Sequence, residues 1–132
     1  MDKLKQKRIE RHSIVCALYT IDLTHCHWVE AYKAVELSDF VVKMVEGVMN
    51  NLDQIDEIIT KNLTNWTLKR LNYVDRAIIR LAVYEMVHTD LPKSIIINEA
   101  VELSKNLTET DDINSKAFNN KLLDKIHHAL EQ

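Results

Sequence analysis

The chain has 132 residues with 17 Lys and Arg against 20 Asp and Glu, and it contains one Gly and one Pro. That length supports one domain, 1–132, burying roughly two thirds of its unfolded surface without metal or disulfide staples; so few Gly and Pro exclude hairpin-rich β architectures and glycine-rich phosphate loops. No apolar run reaches the ~20 residues of a membrane span, and no apolar segment of a signal peptide follows the charged start, so no membrane contact is expected and the expected location is cytoplasmic.

The apolar residues follow helical spacing throughout, which predicts an all-α fold. A first helix is predicted from about Lys3 to Leu23. At 100° per residue, Lys7, Arg8 and Arg11 share a broad face with Ile14, Val15 and Leu18, so the face is basic early and apolar late. Its apolar part should dock on the core while the first turns overhang with their cations free. Tyr19 lies within about 20° of Arg8 around the axis and roughly 17 Å further along it, a few nucleotides' length.

A short helix carries Trp28, Ala31, Tyr32 and Val35. Ser38 and Asp39 then offer caps for a long third helix with Phe40, Val41, Met44, Val48, Leu52, Ile55 and Ile59. Gly47 inside it costs about 1 kcal/mol relative to Ala, which points to close approach by another helix. Thr64 or Asn65 opens a short turn around Trp66 to Leu71. The next helix is apolar on two stripes, Val74, Ala77, Ile78, Leu81 and Tyr84 on one and Ile79, Ala82, Val83 and Met86 on the other, so it sits inside a bundle. Asn72 caps its start, Asp75 suits its first turn, and Pro92 prevents continuation. Ile97, Ala100, Val101, Ser104 and Leu107 give a one-sided helix. The last helix starts near Asp112 or Asn114 and runs to about Leu130, burying Phe118, Leu122, Leu123 and Ile126.

Charge is unevenly placed. Residues 1–11 carry five cations against two carboxylates and residues 61–80 carry five against one, leaving the remainder acidic. This separation predicts an anion-binding end and an end that faces a partner or solvent. No catalytic arrangement stands out among the six histidines. His12 and Cys16, four apart, with His25, Cys26 and His27 at the helix end could supply N and S ligands, but neighbours point in different directions and C-x-x-C spacing is absent. No metal or other cofactor is expected, with Cys16 buried, the loop histidines exposed and both thiols free. Glu85 and Glu99 lie beside apolar positions, and a buried carboxylate needs partners, for which helix ends or Arg70 are the expectation. Lys7, Arg8 and Arg11 with Tyr19 match a basic track with an aromatic platform for single-stranded RNA. A solvated helix start and a core tyrosine match as well.

Four blocks stand in a recognisable order: Val74-Asp75-Arg76 through Tyr84-Glu85; Ile97-Asn98-Glu99-Ala100-Val101-Glu102-Leu103; Phe118 with Asn120; and Leu123-Asp124-Lys125-Ile126. In them the chain resembles the NusB family of bacterial transcription antitermination factors. The likeness extends to the basic run before Ala17-Leu18-Tyr19 and to Gly47-Val48 with Asp56, so it covers nearly the whole chain. It implies about seven helices in two three-helix bundles packed across each other. It also implies a non-enzymatic protein that binds boxA-type single-stranded RNA of ribosomal RNA leaders together with the small-subunit ribosomal protein NusE, with other Nus factors and RNA polymerase as indirect partners.

The resemblance assigns RNA binding to Lys7, Arg8, Arg11, Tyr19 and Phe118, and partner binding to Asp75, Arg76 and Arg80. Ile9 and Glu10 interrupt the family's arginine-rich run. Where the family has Asn-Gly, this chain has Asn120-Lys121, which either removes a close helix approach or adds a cation to the RNA face. Two rivals remain at this point. One is a fragment of an RNA methyltransferase carrying the same fold, for which 132 residues leave no cofactor-binding domain. The other is a helical protein-interaction module in transcription or ribosome assembly without appreciable RNA affinity.

Overall fold

The computed structural model describes residues 2–32, 37–107 and 113–131. Val35 and Asp112, used in the reading above, lie outside the described residues. The elements are α1 (Lys3–Thr24), α2 (Trp28–Ala31), α3 (Asp39–Asn50), α4 (Leu52–Asn62), a 3₁₀ turn (Leu68–Arg70), α5 (Tyr73–His88), α6 (Lys93–Leu107) and α7 (Ile113–Leu130). The all-α expectation holds, and no described helix is long and apolar enough to cross a membrane.

Local chemistry sets the boundaries. The Ser38 hydroxyl accepts from the Val41 N–H at 3.3 Å and the Asn72 side chain accepts from the Asp75 N–H at 2.8 Å, so both expected caps form. Asp2 adds a third cap, accepting from the Leu4 N–H. The expected long third helix is corrected. It divides at Asn51, whose φ of −116° and ψ of 19° leave helical geometry while its side-chain amide donates to the Gly47 carbonyl at 2.8 Å. An asparagine that bonds the backbone of the preceding turn competes with helix continuation. α3 then packs on α1 and α5, whereas α4 packs on α5 and α7. The two-bundle expectation therefore holds with one helix added to the second group: α1–α3 on one side, α4–α7 on the other.

α5 joins the two groups. Ten of its 16 residues are buried, including Asp75, Arg76 and Glu85, and it touches α1, α3, α4, α6 and α7. Ile14 and Val15 of α1, Val45 of α3, Ile55 and Ile59 of α4 and Ile79 and Val83 of α5 are almost fully enclosed, each side chain contributing about 1.5–3 kcal/mol by burial. Gly47 does mark a close approach, by a side chain: a Cβ there would overlap the Tyr84 ring. In α6 the buried stripe is Ile96, Glu99, Ala100, Leu103 and Ser104, rotated from the expected one and leaving Ile97, Val101 and Leu107 half-buried. α7 buries Leu122, Leu123 and Ile126 as expected, together with Asn119, 5% exposed, whose side-chain amide has no hydrogen-bond partner on either atom among the described residues. Phe118 is corrected, being 37% exposed. It lies about 90° around the helix from the middle of that buried face.

Candidate nucleic-acid interface

α1 runs antiparallel to α5, so its first turns lie beside the end of α5 and the middle of α6. Lys7 is exposed, its Nζ 5.5 Å from the centre of the Phe40 ring at the start of α3. Arg8 is half-exposed and forks onto Glu99, Nε to Oε2 at 3.2 Å and Nη2 to Oε1 at 3.4 Å. Arg11 is 8% exposed, and its Nη2 donates to the Glu85 carboxylate at 2.8 Å. The expectation that all three cations overhang freely is thereby corrected: α5 and α6 bring carboxylates beneath the second and third turns of α1. These guanidinium groups, not helix ends or Arg70, are the partners that Glu85 and Glu99 needed. Burial pushes the Glu85 carboxyl above its ordinary range, the neighbouring Arg11 offsets this in part, and Glu99 adds repulsion.

The charged residues at the start of α5, which the resemblance assigns to partner binding, are turned inward onto groups of the protein itself, and Asp75 takes the first-turn capping place its position suggested. Asp75 is buried in a reciprocal cap, its Oδ2 accepting from the Asn72 side chain at 2.8 Å while its N–H donates to the same residue. Arg76 pairs with Asp22 of α1 at 2.6 Å and also donates to the Leu68 carbonyl. Arg80 forks onto Asp56 of α4 with both bonds at 2.9 Å, and its Nη1 reaches Asp22 at 3.4 Å. Asp22 was missed in the sequence. Its signal was indirect, since Arg76 and Arg80 are four apart on one face of a buried helix and require acids opposite. The exposed cations of segment 61–80 are Lys61, paired to Glu57 at 3.0 Å, and Lys69 and Arg70.

Aromatic rings gather where α5 begins. Tyr19 of α1, half-buried, meets Tyr73 edge-on, with ring centres 6.3 Å apart. Arg76 lies over the Tyr73 ring at 4.7 Å. Asn65, at φ 58°, takes the left-handed turn that asparagine tolerates, and the chain bends so that Trp66 stands 6.0 Å from Phe118 of α7. The Arg70 guanidinium covers Trp66 at 4.3 Å. Trp66 is 40% and Tyr73 38% exposed. Beside Phe118 a groove of about 310 Å³ runs between the end of α4 and α7, with Lys121 and Lys125 on its wall and the Lys125 Nζ 3.1 Å from the Thr64 hydroxyl. Lys121 is exposed, so the lysine in the family's glycine position adds a cation there. Trp66 was read in the sequence only as part of a turn, and Tyr73 was not singled out. The signal lay in the composition around them, since no carboxylate occurs from Ile58 to Val74.

Among the described residues, no three or more His, Cys, Asp or Glu side chains converge as metal ligands. His12 and Cys16 touch at 3.7 Å, and Cys16, expected inside, is exposed.

Comparison with known proteins agrees with this architecture. A model of the NusB family matches residues 8–128. The transcription antitermination protein NusB of Bacillus subtilis (strain 168) is 39% identical over 132 residues, spanning 96% of this chain and 98% of its own length. Among solved structures, NusB of T. maritima is similar with a TM-score of 0.81 at 30% identity, covering 92% of this chain and 89% of that one. A complex of the antitermination factors NusB and NusE with double-stranded RNA is similar with a TM-score of 0.79 at 25% identity, covering 95% and 98%. Matched along nearly its whole length by the family and by a relative well above 30% identity, this chain belongs to the NusB family.

Proposed function

We propose that this protein is a transcription antitermination factor that holds boxA-type single-stranded RNA of ribosomal RNA leaders jointly with the ribosomal protein NusE, within a complex on RNA polymerase in the cytoplasm. The observation that carries this reading is the stripe of α1 on which exposed Lys7 and half-exposed Arg8 stand about three helical turns from Tyr19, in a chain of the NusB family. The solved complex of NusB and NusE with double-stranded RNA supports NusE and RNA as partner classes. Lys7 and Arg8 neutralise phosphates, Tyr19 and Phe118 offer ring faces to bases, and Arg11 acts behind them by fixing α1 on Glu85. Asp75, Arg76 and Arg80 serve partner binding by holding the start of α5 in shape. The mechanism is assembly, in which no bond is made or broken.

Two measurements test it. Lys7→Ala with Arg8→Ala should flatten the slope of log K against log salt for single-stranded RNA by about 1.4, or 0.7 per lost phosphate contact, with helix content unchanged. An unchanged slope places the RNA elsewhere. NusE should tighten RNA binding by about 5- to 150-fold, and RNA should tighten NusE binding by the same factor. Binding of NusE with no RNA affinity under either condition would instead favour a pure protein-interaction module.

A further inference from the structure

We infer that the strand held along α1 continues past Tyr19 across the end of the molecule where α5 begins, with Tyr73 and Trp66 as further stacking platforms and Arg70 as a phosphate contact beside them. This rests on the RNA reading above and extends it to residues outside α1.

Single exposed aromatic residues are ordinary, but here four rings form two touching pairs, Tyr19 with Tyr73 and Trp66 with Phe118, joined by the short segment from Trp66 to Tyr73. Both new rings are covered on one side by a guanidinium, Arg76 over Tyr73 and Arg70 over Trp66. Each is therefore held in a fixed orientation before a base arrives, which lowers the ordering cost of stacking. The two arginines differ in role. Arg76 is tied to Asp22 and positions its ring, whereas Arg70 is exposed and among the described residues has no ion pair, so its N–H groups remain available to a phosphate oxygen. The surroundings suit a polyanion, since no carboxylate occurs in residues 58–74 or 113–123. An acidic protein surface would meet the same charge. The contact between Tyr19 and Tyr73 favours RNA, because a strand already lying on Tyr19 reaches Tyr73 without a gap.

The test uses the full chain carrying Trp28→Phe, which leaves Trp66 as the sole tryptophan emitter, and two labelled single-stranded boxA-like RNAs, ~12 and ~5 nucleotides long, within the span of single-strand sites. Binding of the longer RNA should quench Trp66 emission with the same midpoint as the anisotropy of the label. Trp66→Ala and Tyr73→Ala should each weaken the longer RNA by about 5- to 160-fold, the effect of one lost stacked base, and leave the shorter RNA bound as before. Trp66→Phe, which keeps a ring, should retain most of the affinity, and unchanged helix content would exclude misfolding as the cause. Tight binding of the longer RNA with unaltered emission and parental affinity in both alanine variants would overturn the inference while leaving the role of α1 intact. Alanine variants that lose NusE but keep RNA would make this end a protein interface and overturn it too. Failure of the parent protein to bind either RNA, with or without NusE, would sink this inference and the proposed function together.

Discussion

Arg8 cannot serve Glu99 and a phosphate equally, and that competition gives a measurable handle on the RNA surface. The fork from Arg8 to Glu99 has both bonds between 3.2 and 3.4 Å, but the arginine side chain is 46% exposed, so solvent screens the pair. Such a pair is worth at most about 1 kcal/mol. RNA that recruits Arg8 must offset that amount, so Glu99→Gln, which keeps the shape and removes the charge, should tighten single-stranded RNA by up to about 5-fold. The freed guanidinium should also steepen the salt dependence by up to about 0.7. Fluorescence anisotropy across a salt series measures both quantities. The control is a double-mutant cycle: in an Arg8→Ala background, Glu99→Gln should have no effect on RNA. Unchanged or weaker binding by Glu99→Gln, with the fold intact, would refute the competition and make Glu99 either irrelevant to RNA or a group that aims Arg8.

Three further outcomes concern the fold. Arg11→Met should destabilise the protein at neutral pH by about 3–5 kcal/mol in urea unfolding, because it leaves the buried Glu85 carboxylate without its partner. Glu85 binds its proton more tightly folded than unfolded, so its contribution to stability is full below about pH 4.3 and is lost as pH rises through the raised value. Removing Arg11 moves the upper edge of that window further up and leaves its lower edge in place, and carbon NMR titration of Glu85 should show it; a midpoint at or below that of parent Glu85 would contradict the pairing. Asn119→Leu should stabilise by about 1–3 kcal/mol, since a buried amide unsatisfied on both atoms among the described residues is replaced by an apolar group of the same branching. A stability loss on calorimetry would mean that the amide has a partner or the site has no room. Gly47→Ala should cost about 1–2 kcal/mol despite better helix propensity, because the methyl overlaps a Tyr84 ring stacked on His88; a gain in melting temperature would show that Tyr84 moves aside freely.

Local features were the legible ones. The caps at Ser38 and Asn72, the two-faced apolar pattern of α5 and the stop at Pro92 act within a few residues, and each took its expected place. The break at Asn51 escaped because apolar spacing runs unbroken through it, while the side-chain bond that ends α3 leaves no periodic trace. Arg11 was misread for a different reason. Its partner lies 74 positions away, and nothing near Arg11 distinguishes a cation that will meet a carboxylate from one that will meet a phosphate. Phe118 stood at the margin of a buried face, where spacing alone cannot assign inside or outside. Trp66 was visible as a residue but not as a surface, because its neighbour Phe118 is brought to it by tertiary packing.

The charges between α1 and α5 act as a key. Along α1, Arg11 precedes Asp22 by about 16 Å; along α5, Arg76 precedes Glu85 by about 14 Å, so only an antiparallel seating sets each cation on an acid. The apolar stripe of Ile14, Val15, Leu18 and Ile21 has no such discrimination, since shifting it by one turn, about 5.4 Å, again offers aliphatic side chains to the core. The same shift would strand buried ions, at several kcal/mol for each partner lost. Grease supplies the adhesion of α1 and charge supplies its alignment. The distance from Arg8 to Glu99 and the meeting of Tyr19 with Tyr73 both depend on that alignment, so the spacing of the proposed nucleic-acid surface is inherited from ion pairs that lie beneath it.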